Sequence, residues 1–235
     1  MRFVSALWEL FLNALFPPVC ASCKSEGDFL CARCLGSLAK RRIGRYSPRA
    51  RAPEFASLAG VVYALDYAKN PQIRAAIQQF KYKFTEALAQ PFAKLIAEKV
   101  GELGMVKGRR LILVPVPLHA KRLRERGFNQ AEVIAHAIQT QWPHGLCEVQ
   151  NLLVRPKETS QQAKLGRSER HQNLKDAFIL NKKIVHKTAS QNLYFVVDDV
   201  CTTGSTLDSC AKALREGGIN PVYGLVIARS MARSK

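Results

Sequence analysis

From residue 57 onward the chain alternates between two hydrophobic periods. Short apolar runs, rich in β-branched residues, stand at 60–67, 111–116, 148–154, 177–180, 193–197 and 221–228; each has the length and composition of a buried strand. Between them the apolar positions recur at helical spacing. Ile73, Ile77 and Phe80 share one face of a helix predicted over 71–83, a second helix follows at 86–100, a third runs from 129 to about 141, and Leu207, Ala211 and Leu214 mark a fourth that stops at Gly217-Gly218. Strands alternating with helices predict an α/β fold in which a mostly parallel sheet is wrapped on both faces. In this reading 221–228 closes the sheet and 117–126 is a basic loop.

The first 56 residues follow neither rhythm. Residues 1–18 are apolar, but Glu9 interrupts them and no small-residue cleavage site follows; Phe3, Leu7, Leu10, Phe11 and Ala14 keep helical spacing, which predicts an amphipathic helix and no export signal. Four of the seven cysteines then form two pairs, Cys20-x-x-Cys23 and Cys31-x-x-Cys34, seven residues apart with Gly27 and Asp28 turning between them. Two such knuckles can close a tetrahedral thiolate cage, for which zinc or iron is the fitting ion. Disulfides are the competing reading, disfavoured in a chain without an export signal. Residues 37–56 are basic and broken by Gly44, Pro48 and Pro53. The expected organisation is a helix and four-cysteine module at 1–36, a basic linker at 37–56 and the main domain at 57–235.

Charge sharpens the picture. With 36 Lys plus Arg against 18 Asp plus Glu, the net charge is +18 and polyanionic partners are favoured. The excess gathers at 40–51, at 107–126 and around 155–175. A solvated basic surface explains any one of these stretches; three beside a phosphate-binding motif point to anion handling. No stretch is long enough to span a bilayer, so a cytoplasmic location is expected.

That motif is Val-Val-Asp-Asp-Val-Cys-Thr-Thr-Gly-Ser-Thr at 196–206. A buried strand ends in Asp198 and Asp199; Val200 and Cys201 lead into Thr202, Thr203, Gly204, Ser205 and Thr206, and a helix follows. The loop is therefore a helix N-terminus, where free N–H groups and the positive dipole end suit phosphate. The two carboxylates need other partners, namely vicinal sugar hydroxyls or Mg2+. The pattern resembles the phosphoribosyl pyrophosphate (PRPP) signature of type I phosphoribosyltransferases. Two further segments add cations. His119, Lys121, Arg122 and Arg126 follow the 111–116 strand, where arginine forks suit a pyrophosphate. Arg155, Lys157, Lys164, Arg167 and Arg170 lie in a polar stretch of about twenty residues that has the length of a lid, or equally a basic surface for nucleic acid.

Taken together, the four cysteines, Arg-Gly-Phe-Asn-Gln at 126–130, Thr159-x-x-Gln162-x-x-Leu165 with Arg170-x-x-Asn173, and the Asp-Asp motif resemble the ComF (ComFC, GntX-like) family over nearly the whole chain. The resemblance implies a four-cysteine zinc finger on a type I phosphoribosyltransferase fold and an association with natural competence. It also implies roles: Asp198 and Asp199 on ribose hydroxyls, 202–206 on the 5-phosphate, His119 to Lys121 on pyrophosphate, and 156–175 as lid. Thr202 stands where purine-salvage members carry a carboxylate, which argues against hypoxanthine or guanine as acceptor. Three functions follow as expectations. One is a competence protein that binds PRPP or ribose 5-phosphate and handles single-stranded DNA with other competence proteins. The others are a phosphoribosyltransferase with an unspecified acceptor, using Mg2+, and a PRPP sensor without turnover.

Overall fold

A computed structural model describes residues 17–40, 47–48, 56–68, 70–82, 86–102, 104, 106–142, 145–156, 177–181 and 192–230. The amino-terminal helix expected over 1–18 and the cationic positions Lys157, Lys164, Arg167 and Arg170 lie outside the described residues, apart from Pro17 and Pro18.

The apolar runs become strands because their side chains are consumed on both faces. β2 (Gly60–Asp66), β3 (Arg110–Pro115), β4 (Cys147–Val149), β7 (Asn192–Cys201) and β8 (Val222–Arg229) form a parallel sheet in the order β2-β8-β7-β3-β4, and β1 (Ser47–Pro48) pairs antiparallel on the outer edge of β2. Alternate residues of one strand face opposite sides. Leu111, Leu113, Leu193, Phe195 and Val197 join a cluster with α2 (Pro71–Tyr82), α3 (Ala89–Gly101) and α5 (Gln130–Gln141), whereas Ile112, Val114, Tyr194 and Val196 join a second cluster with α6 (Ser205–Glu216). A 3₁₀ turn, Glu86–Leu88, leads into α3.

Four expectations change. The 117–126 stretch is a helix over most of its length, α4 (Ala120–Arg126), with no buried residue. It lacks an apolar face, and its ends hold it: the His119 side chain accepts from the Lys121 N–H, and Gly127, at φ 77°, supplies the left-handed C-cap. Residues 148–154 are not one strand. Gln150, Asn151 and Leu152 separate β4 from β5 (Leu153–Val154), which leaves the main sheet to pair antiparallel with β6 (Ile179–Leu180). The short run at 177–180 thus belongs to a separate ribbon. Finally, β8 does not close the sheet but lies at its centre between β2 and β7, as its eight-residue apolar run allows.

The cysteine module is built into this core. α1 (Ala32–Lys40) carries Cys34 in its first turn, and Cys20, Ala21, Leu30 and Leu38 belong to the same buried apolar cluster as Ile73, Phe92 and Ile134.

Candidate functional site

Parallel strands all end on one side, and the loops there build the site. β7 carries Asp198 and Asp199 in its last residues; Asp199 is buried, and its N–H donates to the Asp198 carboxylate at 2.8 Å. The chain then turns through Thr202 and Thr203 into Gly204. At φ 79° that residue has a left-handed backbone natural to glycine, and α6 begins at Ser205. The Thr203 and Ser205 hydroxyls meet at 2.7 Å, and the Gly204 carbonyl accepts the Asp208 N–H at 2.9 Å. Asp208 in turn receives the Ser57 and Leu58 N–H groups at 2.6 and 3.2 Å, anchoring the first turn of α6.

Opposite this loop stands the α4–α5 corner, where the Arg-Gly-Phe-Asn-Gln stretch acquires a physical reason. Gly127 ends α4, Phe128 drops into the core with its ring 5.9 Å from that of Phe80, and Asn129 caps α5 by accepting from the Ala131 N–H at 3.1 Å. The Asn129 amide also donates to the Val116 carbonyl at 3.1 Å, and Arg126 donates to the buried Gln130 side chain at 3.0 Å. The corner is thereby fixed to the end of β3.

Between these walls lies a cavity of about 630 Å³. Arg122, Arg126, Arg155, Asp198, Asp199 and the 200–204 turn line it, joined by Thr206, Asn129, Glu125 and Tyr67. It thus combines a helix N-terminus and three guanidinium groups with carboxylates. Arg155 is a fixed wall element: it is buried, and its guanidinium lies 5.1 Å from the centre of the Phe178 ring. Burial, with the Arg122 charge second, pulls its pKa down, while Asp198 acts the other way. His119 and Lys121 are not among the cavity-lining residues, because His119 turns back to cap α4. Tyr67, Asn129 and Gln130 are lining residues that the sequence did not single out as ligand contacts; the Asn-Gln pair was visible inside a motif, whereas nothing local marks Tyr67. Cys201 is buried on the α6 side, as is Cys210, whose thiol burial pushes up.

A second candidate site lies at the amino-terminal cysteines. The Lys24 N–H bonds the Cys20 carbonyl at 2.9 Å, with Lys24 at φ 64°, to form the first knuckle; Ala21 N–H to Phe29 O at 3.0 Å brings the second beside it. The sulfurs of Cys20, Cys23, Cys31 and Cys34 lie within 4.8 Å of one another, with Cys23 and Cys31 at 3.7 Å. Four bonds of 2.3 Å in a tetrahedron would place sulfurs about 3.8 Å apart, so the donor set fits a thiolate-bound metal ion. The thiols differ from one another. The Ser25 hydroxyl beside Cys23 draws that thiol down to about 5; Cys34, against the pull of Ser22, is pushed up to about 11 by burial and its neighbouring thiols. Four clustered sulfurs lose their protons together only around a cation.

No family profile matches the chain. Individual relatives do. The chain is 31% identical over 156 residues to Competence protein F of Haemophilus influenzae, covering 66% of either chain, and 30% identical over 174 residues to DNA utilization protein YhgH of Escherichia coli K12, covering 73% of this chain and 72% of that one. Competence protein ComFC of Bacillus subtilis is 27% identical over 152 residues, 65% of this chain and 57% of that one. The chain belongs to the ComF family. As a ComF protein it has the α/β fold and the amino-terminal four-cysteine cluster expected of it, and among its described residues no helix is long and apolar enough to cross a membrane.

Proposed function

We propose that this ComF protein acts in natural competence, in the cytoplasm, by handling incoming single-stranded DNA around a site for PRPP or ribose 5-phosphate. The cavity carries the reading: the turn at 202–206 that opens α6 lines it together with Arg122, Arg126, Arg155, Asp198 and Asp199. The loop would take the 5-phosphate, the carboxylates the ribose hydroxyls, and the arginines a pyrophosphate, with Mg2+ between diphosphate and carboxylates. Lys121, at the start of α4 beside the capping His119, would add positive charge near that wall, and Lys157, Lys164, Arg167 and Arg170 would supply cations from a covering loop. Zinc is the ion proposed for Cys20, Cys23, Cys31 and Cys34, as a structural centre with no open position.

The DNA part rests on the net charge of +18 and on the names of the relatives. Binding would weaken steeply with salt as counterions are released, and contacts with other competence proteins belong to the same role. Calorimetry with PRPP and ribose 5-phosphate in the presence of magnesium tests the site; no heat from either at millimolar concentration removes it. A mobility shift with single-stranded DNA tests the role, and absence of a shift at low salt removes direct DNA binding. An Asp198→Ala, Asp199→Ala double variant scored for ligand binding and for transformation separates the two.

A further inference from the structure

A second cavity, of about 640 Å³, lies on the other side of α4 from the first, between the start of α3 and one face of α5. Val133, Ala137 and Thr140 recur at i, i+4 and i+7 along that face. Ala89, Phe128 and Ala137 are buried members of the apolar cluster that α2, α3 and α5 form with the sheet. Leu123, 43% exposed, stands on the same groove and is the one large apolar side chain of α4. In a chain of net charge +18, no lysine or arginine is among the described residues lining this groove, whereas Glu132 is. Phosphate and nucleic acid therefore do not suit it; an apolar, uncharged surface does.

The chain itself supplies such a surface. In residues 1–16, Phe3, Leu7, Leu10, Phe11 and Ala14 share one helical face, and Arg2, Ser5, Glu9 and Asn13 stand on the other. Sixteen helical residues span about 24 Å, enough to run the length of α5, which is about 18 Å. The segment is also delivered to the right side of the sheet. It leads into Pro17-Pro18, and the Pro18 carbonyl accepts the Gly27 N–H at 2.9 Å, which fixes that end to the cysteine module. Cys20, Leu30 and Leu38 of the module share one apolar cluster with Ala89, Phe128 and Ala137 of the groove. We propose that residues 1–16 seat as an amphipathic helix in the groove between α3, α4 and α5. There they clamp α4 from its outer side. That helix has no buried residue and is held by its two caps; an apolar partner on Leu123 gives it a third hold, on the wall that carries Arg122 and Arg126 to the first cavity.

Photo-cross-linking in the metal-loaded full chain tests the docking. Benzoylphenylalanine placed at Phe11, on the apolar face, is expected to couple on irradiation to peptides from 86–90 or 120–140 of the same molecule, located by mass spectrometry. The same group at Glu9, on the polar face, is expected to give little of that product. Leu123→Arg together with Thr140→Arg, both at exposed positions lining the groove, should lose most of it, because a guanidinium pressed against an apolar helix has no partner there. Either substitution alone serves if the pair unfolds the chain. Coupling to another surface of the chain, to a second copy or to no protein at all overturns the proposal, and so does a product that survives the arginines or forms equally from position 9. Capture of the segment by anionic vesicles, with no intramolecular product, overturns it in favour of a membrane anchor.

Discussion

The Arg155 guanidinium lies 5.1 Å from the centre of the Phe178 ring, stacked where β5 and β6 meet at the cavity edge. A desolvated contact of this kind is worth about 2 kcal/mol and fixes a planar cation in one orientation. Arg155→Ala is expected to weaken PRPP binding by at least about ten-fold, Phe178→Leu by a few-fold, and Arg155→Lys to fall between, since lysine lacks the stacked fork. Titration of the three variants checks the order; equal affinities in all would make the pair purely structural.

Asn129 joins two elements with one side chain, capping α5 and donating to the Val116 carbonyl behind β3. Loss of the cap and of the second bond at Asn129→Ala should cost about 1–2 kcal/mol. Urea unfolding measures it. Asn129→Asp keeps the cap acceptor but cannot donate to Val116, and is expected to recover about half of the loss.

Metal removal should destabilise the whole ComF protein. Cys20 and Leu30 share a buried cluster with Ile73 and Phe92, so the knuckles and the sheet domain unfold as one unit. Binding energy at a structural thiolate site is folding energy. Calorimetric scanning after chelation is expected to show one transition, moved down by several degrees. A separate small transition with the main one unmoved would show the module to be independent.

Cys147 gives an alkaline limit to stability. Burial pushes its thiol up to about 12 from the ordinary value of 9.0. A folded-state pKa above the unfolded one means stability is fully present below pH 9 and is lost as pH rises toward 12, because the unfolded chain releases the proton first. Buried Cys210, also raised, acts in the same direction. Unfolding free energy should therefore fall between pH 9 and 10.5, and Cys147→Ala should flatten that slope. An unchanged slope would refute the assignment.

Much of the fold and site was legible because it is local. The turn at 202–206 was readable since strand, two carboxylates, glycine and helix follow one another within twenty residues, and so were the knuckles, where Cys-x-x-Cys spacing itself brings sulfurs together. Helix α4 was hidden because none of its residues is buried: without a buried face there is no apolar period, and only the caps at His119 and Gly127 start and stop it. The break at 150–152 was equally silent, since apolar residues on both sides blur two strands into one.

What the sequence determined by itself was therefore each contiguous piece of structure: the alternation of strands and helices, the four-cysteine set, and the Asp-Asp and glycine turn at the start of α6. Tertiary structure alone decided the assembly. It put β8 at the sheet's centre, withdrew His119 from the cavity to a helix cap, turned Arg155 from a loop cation into a stacked wall, and set Tyr67 level with Thr202 across two strands. The physical reason is that strand order and register arise from packing between residues far apart in the chain, which no local period records.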